Sequence, residues 1–141
     1  MKRLRLPIVA KEYERLAKEA ASNKATYEEY LCCLLELQVH AREESTKKER
    51  ISQAKFPALK TLDVFDFDEI PSLNKKLVLK LFGGEYLQKG ENVVFLGGQG
   101  TGKTHLAIAL GMQACCTGNS TRFFTAADLA HQLIDLRVRS S

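Results

Sequence analysis

Asn92-Val93-Val94-Phe95-Leu96-Gly97-Gly98-Gln99-Gly100-Thr101-Gly102-Lys103-Thr104 joins an apolar run to a glycine-rich loop and a lysine. Its first part is a short, continuous apolar run, the pattern of a strand buried on both faces of a parallel sheet. A glycine loop follows directly. Lys103 to Cys116 then reads as a helix, with Leu106, Ala107, Leu110 and Ala114 turned toward the sheet. Gly118-Asn119 stops it. Arg122-Phe123-Phe124-Thr125 reads as a second strand, and Thr125 caps a helix from Ala126 to Arg137. Strand–helix–strand–helix predicts an α/β sheet domain.

The loop has the spacing Gly-x4-Gly-Lys-Thr, and each part has a physical reason. Glycines let the backbone bend so that successive N–H groups point inward at a β-phosphate. The helix that follows turns its positive dipole end and unpaired N–H groups to the same anion. Lys103 supplies a full charge to the β- and γ-phosphates, and the Thr104 hydroxyl is a magnesium ligand. By average residue frequencies, such a match arises by chance in roughly one chain of this length in a few hundred. Here it also lies between an apolar strand and an amphipathic helix, the context the chemistry demands. The candidate nucleotide-binding residues are Gly97, Gly98, Gln99, Gly100, Thr101, Gly102, Lys103, Thr104 and the adjoining His105, with ATP and magnesium as ligands.

Turnover needs more: an acid at the end of another apolar strand, to hold magnesium and orient water. Leu133-Ile134-Asp135 is the only candidate, and Leu129, Leu133 and Leu136 around it have helical spacing. Asp135 therefore reads as a surface residue of the last helix, and Asp128 as a first-turn acid near a helix N-terminus. No catalytic residue is assigned.

Upstream, Pro71-Ser72 starts a helix with Leu73, Leu77, Val78 and Leu81 on one side, and Gly83-Gly84 ends it. Residues 56–70 form a linker anchored by Leu59, Leu62, Val64, Phe65 and Phe67, with Asp63, Asp66 and Asp68 facing away. Residues 1–55 form a small helical region. A first helix over 8–22 carries Ile8, Tyr13, Leu16, Ala17 and Ala20 near one face. Thr26-Tyr27-Glu28-Glu29 has the form of a capping box. It opens a long helix with Tyr27, Tyr30, Leu31, Leu34, Leu35 and Gln38 at helical spacing. Residues 42–50 are wholly polar, and Phe56-Pro57 ends the helix. The chain thus reads as 1–55 helical region, 56–70 linker and 71–141 phosphate-loop domain.

Composition agrees with a folded chain: 141 residues, 45% hydrophobic and 27% charged. No apolar run reaches the roughly 18 residues of a membrane span. Lys2, Arg3 and Arg5 precede no secretory apolar segment, so the expected location is cytoplasmic, with no membrane contact. Cys32-Cys33 and Cys115-Cys116 lack metal or redox spacing and read as packing residues, a vicinal disulfide or metal role being the alternative. Residues 1–60 hold 13 Lys and Arg against 9 Asp and Glu, a net +4, whereas 61–141 hold 8 of each. That excess is either a solvated helical surface or a contact for DNA phosphates.

The stretch from Gly90 through Ala107 resembles the IstB-like helper ATPases of bacterial insertion sequences, AAA+ relatives of the DnaC helicase loaders. Leu4-Arg5-Leu6-Pro7, Lys55-Phe56-Pro57-Ala58, Phe65-Asp66-Phe67 and Phe124-Thr125-Ala126-Ala127-Asp128-Leu129 are similar to that family too, in its order. The resemblance implies a three-layer P-loop NTPase core of the AAA+ type, preceded by the small helical region. It also implies ATP-dependent assembly on DNA, homo-oligomers at full length and support of a transposase. Residues 1–55 would serve assembly and partner contact, and Phe65 to Phe67 would lie near the adenine. Many members have proline where this chain has Gly98, a change that keeps the turn possible.

Family members continue past the equivalent of Ser141 with the magnesium-binding Asp-Glu strand, the sensor and the arginine finger. In the family's sheet order, the strand at 122–125 is not the neighbour of 93–96. This predicts a truncated, marginally stable chain, or a fragment of an interrupted gene, that binds nucleotide without turning it over. Three functions compete: a transposition helper, a helicase-loader relative in replication, and a non-catalytic interaction fragment. The Leu-Arg-Leu-Pro and Phe-Pro-Ala elements favour the first over the second, and the missing acid favours the third for this chain.

Overall fold

The computed structural model describes residues 3–140; Lys2 of the basic N-terminal flank and Ser141 lie outside the described residues. The chain divides after Lys48 into two compact units.

The first unit holds α1 (Pro7–Ser22) and most of α2 (Tyr27–Ala54). Pro7 is preset for the first helical position and lacks the N–H that would be orphaned there. The capping box at Thr26 forms as its spacing predicts: Thr26 N–H donates to Glu29 Oε2 at 2.8 Å and Glu29 N–H to Thr26 Oγ1 at 3.2 Å. Val9, Leu16 and Leu34 make the core, with Leu6 and Tyr30 packed against it. Polar bonds fix the register. Gln38, only 3% exposed, accepts from the N–H groups of Ile8 and Val9 at 3.0 and 3.5 Å. Arg42 Nη2 donates to Arg5 O at 2.6 Å, and Tyr30 Oη to Tyr13 O at 2.7 Å. These pairs run in opposite directions along the two helices, which are therefore antiparallel. The apolar face of α2 is wider than α1 can cover. Tyr27 is 93% exposed, and Leu31, Leu35, Tyr13 and Ala17, which share the apolar faces of the two helices, are exposed as well.

The second unit begins within the last turns of α2. Lys55 has φ +60°, which breaks the helix just before Phe56-Pro57. α3 (Lys75–Phe82) starts at an Asn74 cap, where Leu77 N–H donates to Asn74 Oδ1 at 3.1 Å. Gly83-Gly84 separates it from the short α4 (Glu85–Gln88). α5 (Lys103–Cys116) is the central element. Its Leu106, Ile108, Ala109, Leu110, Ala114 and Cys115 are buried, as is Val78 of α3, whereas Ala107 is exposed. At Gly111 a Cβ would come within 2.9 Å of Phe56 Cε1, so this mid-helix glycine is a seat for that ring. Phe123 N–H donates to Ala54 O at 2.8 Å and Arg122 Nη1 to Gln53 O at 3.2 Å, tying 122–123 to the end of α2. α6 (Ala126–Arg139) opens on Thr125, whose Oγ1 accepts from Asp128 N–H at 3.1 Å, and it buries no residue.

The α/β three-layer expectation is not met: the described residues form helices and no strand. A strand exists only through ladder bonds to a neighbour. The backbone of 92–96 makes no such bond. Burial there alternates, with Val93 and Phe95 half-buried while Val94 and Leu96 are 74% and 90% exposed. The segment 122–125, read as the second strand, gives its Phe123 N–H to a helix end instead. The cysteine reading needs a similar correction. Cys115 is buried, but Cys32, Cys33 and Cys116 are exposed, and all four are free thiols.

Candidate functional site

The loop residues 97–102 run directly into α5, and backbone geometry marks the junction. Gly102 is the N-cap of α5 with φ +75°, a left-handed conformation that costs a residue with a Cβ. No side chain caps this end. The first intrahelical bond is from Leu106 N–H to Gly102 O at 3.0 Å, so the N–H groups of Lys103, Thr104 and His105 come before the ladder begins. That is the donor array, with the positive end of the dipole, that suits an anion. Gly98 and Gly100 have open space where a Cβ would be, which leaves the backbone accessible from outside.

Lys103 lies within the loop. Its Nζ donates to Gly97 O at 2.8 Å, to Gly98 O, and to Thr101 Oγ1 at 3.3 Å. The Thr101 hydroxyl in turn donates to Gly98 O at 2.8 Å. The ammonium therefore sits on the carbonyl side of the loop and would exchange these partners for phosphate oxygens. Thr104, in the first turn of α5, is exposed. Its hydroxyl would offer one oxygen to a magnesium ion, which would take its other ligands from phosphates and water. The residues present fit a magnesium-bound phosphate group.

The structure brings a second set of residues to this loop. Phe65 packs on Gly102, where a Cβ would meet Phe65 Cε2 at 2.6 Å and Ile70 Cδ1 at 3.6 Å. The Phe65 ring stands edge-on to Phe67 at 5.0 Å and to His105 at 5.2 Å. Lys75 Nζ lies 5.0 Å from the Phe67 ring centre. The His105 side chain turns away from the loop and its Nε2 bonds to Thr61 O at 2.7 Å. Only the backbone of His105 belongs with the donor array. Of the expected linker anchors, Leu62, Phe65 and Phe67 are half-buried, whereas Leu59 and Val64 are exposed. Sequence spacing missed the roles of Thr61 and Ile70, because nothing local signals contacts between residues so far apart in the chain.

A groove of about 570 Å³ adjoins the loop. Leu73, just before α3, and Leu77 and Leu81 of α3 line it together with Val93 and Phe95, and Gly97, Thr101 and Lys103 share its wall. Its lining is mostly apolar, so the polar loop, not the groove, is the place for a phosphate. Among the described residues, no Asp or Glu lines the groove that Gly97, Thr101 and Lys103 border. The Asp128 carboxylate accepts from the Thr125 hydroxyl at 2.5 Å, and Asp135 is exposed on α6.

A glycine loop closed by a left-handed residue at a helix N-terminus, with the first lysine of the helix bonded back to it, is a class of arrangement that suits an anion. The model of the IstB-like ATP binding proteins matches residues 1–138, and the chain belongs to that family. It is similar to the protein described as the ATP-binding protein of insertion sequence IS5376 from Geobacillus stearothermophilus, 38% identical over 93% of this chain and 52% of that one. The corresponding protein of insertion sequence IS21 from Pseudomonas aeruginosa is 37% identical over 87% of this chain and 46% of its own. That of IS232 from Bacillus thuringiensis subsp. berliner is 33% identical over 92% and 52%. The chain spans about half the length of these relatives. No helix among the described residues is long and apolar enough to cross a membrane.

Proposed function

We propose that this chain binds ATP with magnesium through residues 97–105, as the nucleotide-holding part of a helper that supports a transposase on DNA. The observation that carries the reading is the left-handed Gly102 at the start of α5, with the Lys103 ammonium held inside the preceding loop. Loop and helix N–H groups take the phosphates, Lys103 adds charge, and Thr104 contributes an oxygen to magnesium. Bound magnesium would neutralise part of the charge of the phosphates. Membership of an ATP-binding family of insertion sequences supports both the ligand and the transposition setting.

The division of labour follows the chain: 1–55 for assembly and partner contact, 56–70 as linker, 71–141 for nucleotide. The net +4 of residues 1–60 supports DNA contact there. Turnover is not part of the proposal, because Asp128 is engaged in the α6 cap and Asp135 lies in the open on α6. The same observation favours a second reading, an interaction module whose nucleotide site regulates binding without catalysis.

Titration with ATP and magnesium, followed by calorimetry, is the test. The wild-type chain binds, Lys103→Ala abolishes binding, and purified protein releases no phosphate above background. Steady-state hydrolysis would overturn the claim of no turnover. In a parallel arm, affinity for duplex DNA should fall steeply with salt; a salt-independent signal would reduce the basic excess to a solvated surface.

A further inference from the structure

We propose that the His105 side chain is a positioning residue: by bonding to Thr61 it holds Phe65 against Gly102 and so sets the left-handed start of α5. The proposal rests on the nucleotide reading above and gives its site a mechanical partner. Three observations converge on it. The imidazole Nε2 is 2.7 Å from Thr61 O, a bond across forty-four positions of chain. The same ring meets Phe65 edge-on at 5.2 Å. Phe65 fills the space beside Gly102 so closely that a Cβ there would lie 2.6 Å from its ring.

The clamp is held from its other side as well. Phe67 braces Phe65 at 5.0 Å, and Lys75, the first residue of α3, lies over Phe67 at 5.0 Å. A line of contacts therefore runs from the start of α3 through the linker to the cap of α5. Gly102 is the hinge of the cradle, because its backbone aims the first N–H groups of the helix. Glycine moves freely through this region when nothing packs on it. Packing by Phe65 removes that freedom, and His105 keeps Phe65 in place. A segment that orders the cradle must itself be ordered by whatever fills the cradle, since coupling between sites is reciprocal.

The test compares His105→Gln, whose side-chain N–H extends to about where Nε2 lies, with His105→Asn, which is too short to reach Thr61. Trypsin cleavage at the exposed Lys60 reads the tether without nucleotide, and titration with a fluorescent ATP analogue reads the cradle. His105→Asn is expected to be cut about fivefold faster and to bind the analogue about fivefold more weakly, the effect of one lost hydrogen bond. His105→Gln should restore both, and saturating ATP should slow cleavage of the wild-type chain. Equal cleavage of the two variants would overturn the tether. Unequal cleavage with equal ATP affinity would overturn the positioning role. If the wild-type chain bound no ATP, the nucleotide reading would fall and the link to the cradle with it. That failure is told apart by the nucleotide-free cleavage comparison, which scores the tether alone.

Discussion

The two units of this chain contrast in how they satisfy themselves. In the first, each tie that fixes the helical pair lies within the unit. Gln38 caps the start of α1, Arg42 holds Arg5 O, and Tyr30 reaches Tyr13 O. In the second, α5 buries Leu106, Ile108, Ala109, Leu110, Ala114 and Cys115, yet the segment leading into it leaves Val94 and Leu96 largely exposed, and α6 buries nothing. The hairpin carries little chemistry and keeps its fixing hydrogen bonds within itself, although Tyr27, Leu31 and Leu35 stay uncovered. The unit with the cradle has a firm centre and open flanks, so its loop is fixed by a few contacts at Gly102 more than by a surrounding layer.

The largest effect that can break this comparison is loss of the firm centre. Leu106 is 2% exposed, and Leu106→Ala should cost about 2–5 kcal/mol. With so much apolar surface outside the core, the second unit has little reserve. Amide exchange should show α5 losing protection while α1 and the first part of α2 keep theirs. If both regions lost protection together, the two units would not be independent.

Gln38→Leu makes the reverse test. It removes the acceptor shared by Ile8 and Val9 N–H, and the expected cost is about 1–3 kcal/mol, confined to the hairpin. Circular dichroism should show an earlier loss of helix, with nucleotide affinity unchanged. A parallel fall in affinity would mean that the cradle depends on the hairpin.

What was legible in the sequence follows the same division. Thr26 and Glu29, three apart, and Thr125 and Asp128, three apart, gave their caps directly, because both partners lie within one turn. The helix from Lys103 to Cys116 was equally readable from its spacing and its stop at Gly118. The loop residues 97–104 are legible as a spacing pattern, to which the structure adds the left-handed residue at Gly102. The strands were not. Val93 to Leu96 has strand composition, but composition cannot supply the neighbour whose ladder makes a strand. Along α2, periodicity shows which residues could be covered, not how wide the covering helix is, so the exposure of Tyr27 and Leu35 is not legible. Thr61, Phe65 and His105 meet only through the fold.

The smallest effect sharpens the comparison at one surface contact. Cys32 Sγ donates to Glu36 Oε1 at 3.4 Å, one turn along α2. That hydrogen bond first, and the nearby negative charge second, push the Cys32 thiol above its ordinary value. The thiolate is the nucleophile, so the carboxylate suppresses reactivity at a side chain that is otherwise exposed. Glu36→Gln removes the charge and leaves a weaker acceptor, which lowers the thiol pKa and raises the thiolate fraction at a given pH. Alkylation of Cys32 by iodoacetamide near pH 8 should therefore speed up, with Cys33 next to it as the internal reference. Were Cys32 and Cys33 accelerated alike, the cause would be opening of the helix, and the hairpin would be less self-contained than its bonds imply.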